Sequence, residues 1–298
     1  MTLEEFIANR GKMIENLQSK IDRANEKIQH EINGDNNEKR IAVYQSQITR
    51  HNHSINQLKL QQAFAREDSA EDKAERLHAY KYFASEMRKV LSDNFHLKFH
   101  GTGIVETAQI IPAGSISSSV DRIGSATSYD VEDQVSVTDK DSLETTVMGY
   151  THLGDDFLPS GCIFAMLPRD AMEDSASRSL LMGNVFFREN PTQLYAIITS
   201  SENKEMVAEW CKNNGVETHV VTFEESLALV EKDSKALDSV VDIMGDKINL
   251  SNHIDIMSAI DIAPLVQNME KDNIDTLLES IKEDKRVDTP IKDSEISL

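Results

Sequence analysis

The sequence predicts an α+β protein: an N-terminal antiparallel helical hairpin or coiled coil, a central split-sheet α+β domain and a C-terminal helical region. Three observations support this fold class. Residues 1–96 contain no proline and only two glycines. From Phe95 onward, apolar runs of five to eight residues alternate with clusters of Gly, Pro, Asp and Ser, which is typical of strands. Beyond residue 223 the apolar residues return to helical spacing in an acidic background.

The first two helices are predicted by apolar residues at alternating steps of three and four, which form the seam of a coiled coil. A polar turn at 33–37 separates two such seams, so we expect the helices to fold back antiparallel. This hairpin could bind a protein partner or self-associate. The seams are Ile14, Leu17, Ile21, Ala24 and Ile28, then Ile41, Tyr44, Ile48, His51, Ile55 and Leu58.

A third helix is expected from about Ser69 to Asp93, with Asp72 in its first turn. Further helices are expected at 104–111 and 202–214, and Pro264 should end or restart a helix in the acidic region. The segment 193–222 then forms a β-α-β unit. Strands are expected at about 96–100, 134–138, 161–167, 184–188, 193–199 and 217–222.

The charge distribution supports a division of the chain into regions. Residues 1–96 carry 15 Lys and Arg against 15 Asp and Glu, whereas 97–223 and 224–298 each carry 8 against 18. The domains predicted from charge and pattern are a helical coiled-coil region, an α+β domain, an acidic helical region and a disordered tail. Their bounds are 1–94, 95–223, 224–285 and 286–298.

Composition excludes several classes of function. A net charge of −20 argues against a nucleic-acid binder and against docking on anionic lipid, because both need a basic surface. Two cysteines cannot make a disulfide framework or a cysteine-rich zinc site, which favours a reducing compartment. The first residues lack a secretory signal and no apolar run reaches membrane-spanning length, so we expect a soluble protein made in a cytoplasm.

The stretch from Phe95 to Thr138 carries the strongest candidate site. A short apolar strand ending in His100 is expected to break into Gly101-Thr102-Gly103, and glycines there would allow a ligand to approach the backbone. Hydroxyl residues follow between Ser115 and Ser119, and again from Ser125 to Tyr129. Polar, glycine-containing sequence between strands is where binding sites usually lie.

The motif Phe99-His100-Gly101-Thr102 at a strand end resembles the first motif of the diphtheria-toxin-like and poly(ADP-ribose)-polymerase-like ADP-ribosyltransferases and of the related RNA 2′-phosphotransferases. The resemblance implies that His100, Gly101 and Thr102 hold the nicotinamide and ribose side of NAD. It also implies that Tyr129 stacks on the nicotinamide and that Ser118 orients the ribose.

The third motif of that superfamily is commonly a Glu at the start of a late strand, near the ribose hydroxyls. Gln193 stands at the corresponding position here, and Glu189 is a possible substitute four residues upstream. A Gln can bond a ribose hydroxyl but places no negative charge beside a developing oxocarbenium ion. The resemblance assigns the catalytic roles to His100, Tyr129 and Gln193.

The resemblance implies transfer of ADP-ribose from NAD, used as a substrate, to a macromolecular acceptor such as a protein. A relative that binds NAD without turnover is also consistent. The acidic C-terminus, ending in Asp293-Ser294-Glu295-Ile296-Ser297-Leu298, resembles the translocation signals of bacterial type IV secreted effectors. That resemblance implies a virulence protein injected into a host cell.

Two other classes of function remain open. A non-enzymatic scaffold would dock its partner through the hairpin and need no catalytic residue. A cysteine hydrolase would use Cys162 with His152 and the pair Asp155-Asp156, although the apolar residues after Cys162 favour a buried strand. No metal site is predicted, because no Cys or carboxylate cluster accompanies His51 and His53 in the sequence.

Overall fold

The structure, a computed structural model, confirms the α+β class. It describes residues 1–34, 37–116, 134–144, 147, 157–167, 171–175, 178–182, 185–188, 193–245, 248, 250 and 253–266. The helices are α1 (Leu3–Asn33), α2 (Glu38–Phe64), α3 (Ala70–Val90), α4 (Ile104–Ala113), α5 (Ser201–Asn213), α6 (Phe223–Met244) and α7 (His253–Val266). The strands are β1 (Lys98–Thr102), β2 (Ser115–Ile116), β3 (Gln134–Val137), β4 (Cys162–Met166), β5 (Ala171–Ser175), β6 (Arg178–Met182), β7 (Val185–Phe186), β8 (Leu194–Ile198) and β9 (His219–Val221).

Helices α1 and α2 form the predicted antiparallel hairpin. The Gln62 side-chain amide donates to the carbonyl of Ile7 at 3.0 Å, and Arg40 pairs with Glu31 at 3.2 Å, so opposite ends of the two helices meet. Thr2 caps α1 in a reciprocal capping box, which satisfies backbone donors of the first turn. The predicted seam is confirmed by its buried residues, which are Ile21, Ala24, Ile28, Ile55 and Leu58.

Helix α3 packs against α6 and the sheet. It begins where the sequence predicts, with Ser69 and Asp72 forming a capping box. The rings of Tyr80 and Phe83 lie 4.8 Å and 5.1 Å from the ring of Phe223 at the start of α6. One hydrophobic core therefore contains α3, the sheet, α6 and α7, and it crosses the boundaries expected at 94/95 and 223/224.

The main sheet has the strand order β1-β4-β8-β9. Strands β8 and β9 are parallel and α5 connects them, which confirms the predicted β-α-β unit. Ile163 and Ala165 of β4 face α3, α6 and α7, while Phe164 and its neighbours on the other face contact α4 and α5. Both faces of the sheet are covered by helices, and this double coverage explains the unbroken apolar run of β4.

A second sheet, of order β3-β6-β5, branches from β1. The backbone groups of Phe99 and Thr138 exchange hydrogen bonds of 2.8 Å and 2.9 Å, which link β1 to the end of β3. Strands β5 and β6 were not predicted, because residues 171–182 contain no β-branched or aromatic side chain. Strand β2, which pairs with β7, was also missed, since it is only two residues long.

Two local expectations about chain breaks are corrected. The strand was expected to end at His100, but Gly101 and Thr102 continue β1 and pair with Ile163 and Cys162 of β4. Helix α4 continues through Pro112 and ends at Gly114, whose left-handed φ of 70° and N–H bonds to Ile110 and Ile111 form the cap.

Two further expectations concern the acidic region and membrane crossing. Helix α7 continues two residues beyond Pro264, and the predicted helix and disordered tail that follow lie outside the described residues. Within the described ranges, no helix combines the length and apolar character needed to cross a membrane.

Glycine is required at position 161, just before β4, because the backbone there contacts the end of β1. A Cβ atom at position 161 would lie 1.8 Å from the carbonyl oxygen of Thr102. Because that oxygen belongs to the backbone of a buried strand, we expect Gly161→Ala to lower the free energy of unfolding by about 3 kcal/mol. Gly11→Ala is the control: its Cβ would be 3.7 Å from Gln62 Nε2, and alanine in a helix should add about 0.5 to 1 kcal/mol. Urea denaturation measures both, and equal stability of the two variants would contradict the close contact.

Candidate functional site

His100 lies on β1, where the two sheets meet. Its Nδ1 atom is 2.9 Å from the carbonyl oxygen of Ser136 on β3. A carbonyl oxygen only accepts, so Nδ1 donates, and a neutral His100 ring then has its acceptor at Nε2. The side chain is partly buried. The main-chain bonds between Phe99 and Thr138 hold the same two strands together, so the ring is fixed at their junction.

The residues after His100 are part of the packed sheet. A Cβ atom at Gly101 would lie 2.9 Å from a methyl carbon of Val147 and 3.0 Å from its carbonyl oxygen, so glycine allows that segment to contact β1 directly. Thr102 is buried, with 5% of its surface exposed. Thr102 therefore lies inside the protein, whereas the resemblance placed it against NAD.

The structure does not bring Gln193 next to His100. His100 is paired with Phe164 on β4. The backbone carbonyl of Gln193 accepts a hydrogen bond from Leu167, which is three residues after Phe164 and just beyond the end of β4, on the side away from β1. With about 4.8 Å between strands and about 3.3 Å per residue, the two Cα atoms are roughly 14 Å apart. Ser118, Tyr129 and Glu189 lie outside the described residues.

Cys162, the candidate nucleophile of a hydrolase, is buried in β4. Burial raises the pKa of its thiol to about 11, although hydrogen bonds with Thr199 and Thr107 act in the opposite direction. Burial likewise raises the pKa of Cys211 to about 12, and the neighbouring Cys162 adds to the shift. A thiol with such a pKa is protonated at neutral pH and is a poor nucleophile. His152, Asp155 and Asp156 lie outside the described residues.

Because the two thiols are protonated and buried, we expect both to be unreactive in the native protein. Ellman's reagent at pH 8 should label neither cysteine within minutes, and should label both once guanidinium unfolds the chain. Cys162→Ser and Cys211→Ser separate the two signals. Rapid labelling of native protein that disappears in Cys162→Ser would show an exposed, activated thiol and would restore the hydrolase hypothesis.

A buried polar pair joins the main sheet to α6, and no motif in the sequence indicates it. The hydroxyl of Tyr195 on β8 donates to Asp233 on α6 at 2.7 Å, and both residues are at most 5% exposed. Burial, followed by the charge of Asp233, raises the pKa of Tyr195. Asp233 lies between Val230 and Leu237 on the apolar face of α6. A carboxylate at such a position is the one sign in the sequence of a buried polar contact. A buried carboxylate is costly unless it is hydrogen-bonded, and the bond to Tyr195 meets that need. The pair therefore has a structural role.

The hairpin carries a cleft of about 440 Å³ between α1 and α2. It is lined by Lys20, Arg23, Ala24, Lys27, Gln47, Arg50 and His51. These side chains include four Lys or Arg residues and no carboxylate. His51 was predicted as a seam residue, and among the described residues no cluster of three or more His, Cys, Asp or Glu side chains could hold a metal ion.

No protein-family model, curated protein or solved structure matches this chain. Function is therefore proposed from two features of the described residues. One is the hairpin, and the other is the β1 corner, which we define as His100, Gly101, Thr102 and Ser136.

Proposed function

We propose that the protein docks a protein partner on its helical hairpin and that the remaining α+β part, the body, supports this arm. The observation that carries the proposal is that, among the described residues, the hairpin is attached to the body at one end. Phe6 near the start of α1 packs on Phe157 with ring centroids 5.3 Å apart, and Phe64 at the end of α2 packs on Trp210 at 5.7 Å. The backbone N–H of Arg66 also donates to the Phe157 carbonyl at 2.8 Å.

Beyond this base the hairpin buries only its own seam. Between residues 12 and 33 of α1 and between 38 and 50 of α2, every residue outside the seam except Glu31 is exposed. Helix α1 has 31 residues, which at about 1.5 Å per residue gives an arm of about 45 Å. Most of that length adds nothing to the core of the body.

A two-helix arm of this kind suits recognition of another helix. Two helices in contact leave a groove on each side of their seam, and a third helix can pack there as in a three-stranded coiled coil. The seam residues Ile14, Leu17, Tyr44 and Ile48 are only partly buried by the partner helix of the hairpin. Part of their apolar surface is still available for a partner.

The docking proposal predicts contact at the arm and not at the body. A photoreactive amino acid at Val43 on α2 should give one discrete crosslinked protein in cells that produce the chain. The same group at Tyr82 on α3 should not, although the two side chains are equally exposed, at 55% and 54%. The readout is the set of crosslinked bands.

The specificity of that crosslink depends on the folded seam. Ile55 is buried between α1 and α2, so Ile55→Asp should open the hairpin, and the Val43 adduct should disappear. Ile7→Asp, at a side chain with 36% exposure, is the matched control and should keep the adduct. Identical bands at positions 43 and 82, or an adduct that survives Ile55→Asp, would contradict docking on the folded arm.

A second candidate function is binding of NAD at the β1 corner, with transfer of its ADP-ribose to a protein. The bond between His100 Nδ1 and the Ser136 carbonyl favours it, because it fixes the imidazole ring in one orientation at the corner where the resemblance places the ribose. The resemblance adds Tyr129 against the nicotinamide and Ser118 at the ribose. Gln193 has no assigned role here, since it is roughly 14 Å away by strand geometry.

Isothermal titration of the full chain with NAD tests this second candidate. We expect millimolar NAD to release heat, and His100→Ala to weaken binding at least about fivefold, the effect of one lost hydrogen bond. His78→Ala, at an exposed position of α3, is the control and should bind as the unmodified chain does. No heat at millimolar NAD, or equal affinity for both variants, would exclude NAD recognition by His100.

A further inference from the structure

One side of the hairpin concentrates positive charge in an otherwise acidic chain. We call it the basic side and define it by the cleft residues Lys20, Arg23, Lys27, Gln47, Arg50 and His51. Residues 1–64 carry 9 Lys and Arg against 8 Asp and Glu, a net charge of +1. The whole chain carries −20, so residues 65–298 carry −21. The cations of the arm therefore stand out against a strongly negative body.

The carboxylates of α1 are segregated from the basic side. At 100° per residue, Glu15, Asp22 and Glu26 are centred about 110° around the helix from Lys20, Arg23 and Lys27. Glu31, near the tip of the hairpin, is paired with Arg40 at 3.2 Å. Glu26 and Glu31 lie three and four residues after Arg23 and Lys27, and among the described residues neither forms an ion pair with those cations.

The cations of the basic side form no ion pair with any described residue. Arg23 donates to the carbonyl of Ser19 at 3.2 Å, and Lys27 lies 5.5 Å from the ring of Tyr44. Lys20 and Arg50 line the same cleft. Four like charges around one cleft repel one another, and an anionic ligand would remove that repulsion.

The apolar side chains beside the cleft indicate a partly apolar ligand. Its lining includes the small side chain of Ala24, a seam residue that is 5% exposed. Val43 and Met13, which are 55% and 52% exposed, lie one heptad from Arg50 and Lys20 on the same side. An amphipathic helix with acidic flanks would contact both the cations and these apolar side chains.

Other occupants fit less well. Nucleic acid would bring a long run of phosphates toward a body of charge −21, which repels it. A second copy that presents the same side would place cations against cations. We therefore propose that the basic side binds an acidic amphipathic helix of a partner protein, which packs as a third helix along α1 and α2. This inference rests on the docking function proposed above.

The test uses the full chain and a labelled helical peptide of about three heptads, with Leu at the a and d positions and Glu at e and g. We expect fluorescence anisotropy to show binding that weakens as salt is added. A matched peptide with Lys in place of Glu should not bind. Equal binding of the two peptides would overturn the proposal.

Charge-reversal variants locate the site. The double variant K20E/K27E should weaken binding of the Glu peptide by about tenfold or more, because two attractions become repulsions. K12E/K59E makes the same change in net charge at exposed positions off the basic side, and should stay within about twofold of the unmodified chain. The affinity of K20Q/K27Q for the Glu peptide should lie between those of K20E/K27E and K12E/K59E. Circular dichroism checks that all three variants keep their helices. Equal losses in K20E/K27E and K12E/K59E would overturn the site.

Two further measurements separate this inference from the docking function. A single-stranded oligonucleotide that binds as tightly as the Glu peptide would overturn the choice of an acidic helix. If the Glu peptide does not bind the unmodified chain while the Val43 crosslink persists in K20E/K27E, the docking function stands and the acidic-helix inference fails. If the unmodified chain gives neither crosslink nor peptide binding, both fail. If K20E/K27E loses both the crosslink and the binding of the Glu peptide, both proposals are supported.

Discussion

The fold depends on β4 being buried on both faces. All five of its residues are buried, and its two faces belong to two separate hydrophobic clusters. At roughly 25 cal/mol per Å² of apolar surface removed from water, burial on both faces makes this strand a substantial contributor to the stability of the body. Its neighbours are fixed in turn: β1 on one edge, β8 on the other, and Gly161 at the point where the chain enters. A nucleophile on such a strand would have no access to substrate, which is why we expect Cys162 to be inert.

The same constraint determines where chemistry is possible. Because helices cover both faces of the main sheet, accessible sites are restricted to its edges and to elements outside it. The β1 corner is at an edge, where β1 leaves the main sheet and contacts β3 of the second sheet. The hairpin is outside the sheet altogether. The arm is thus outside the core, whereas Gly101 and Thr102 of the β1 corner are buried, and the two candidate functions do not compete for the same residues.

The sequence predicted the features that depend on local pattern. Three features are each encoded by residues close together in the sequence: the hairpin seam, the capping box at Ser69 and the β-α-β unit around α5. Strands β5 and β6 were missed because tertiary pairing, and not side-chain preference, holds them extended. The separation of His100 from Gln193 depends on the pairing of three strands distant in sequence, which a motif does not encode. The basic side was missed for another reason: residues 1–96 have no net charge, and the helical fold separates the signs.

That separation gives the two parts of the molecule different electrostatic roles. An acidic helix approaching the body meets a net charge of −21, which repels it, while the cleft on the arm attracts it. Because charges more than about 10 Å apart are screened at physiological salt, the 14 residues from Phe6 to Lys20, about 21 Å of helix, hold the cleft largely beyond the field of the body. Arm length and charge segregation are therefore linked. A shorter hairpin would place Lys20 and Lys27 among the carboxylates of the body, and their attraction for an acidic partner would be lost.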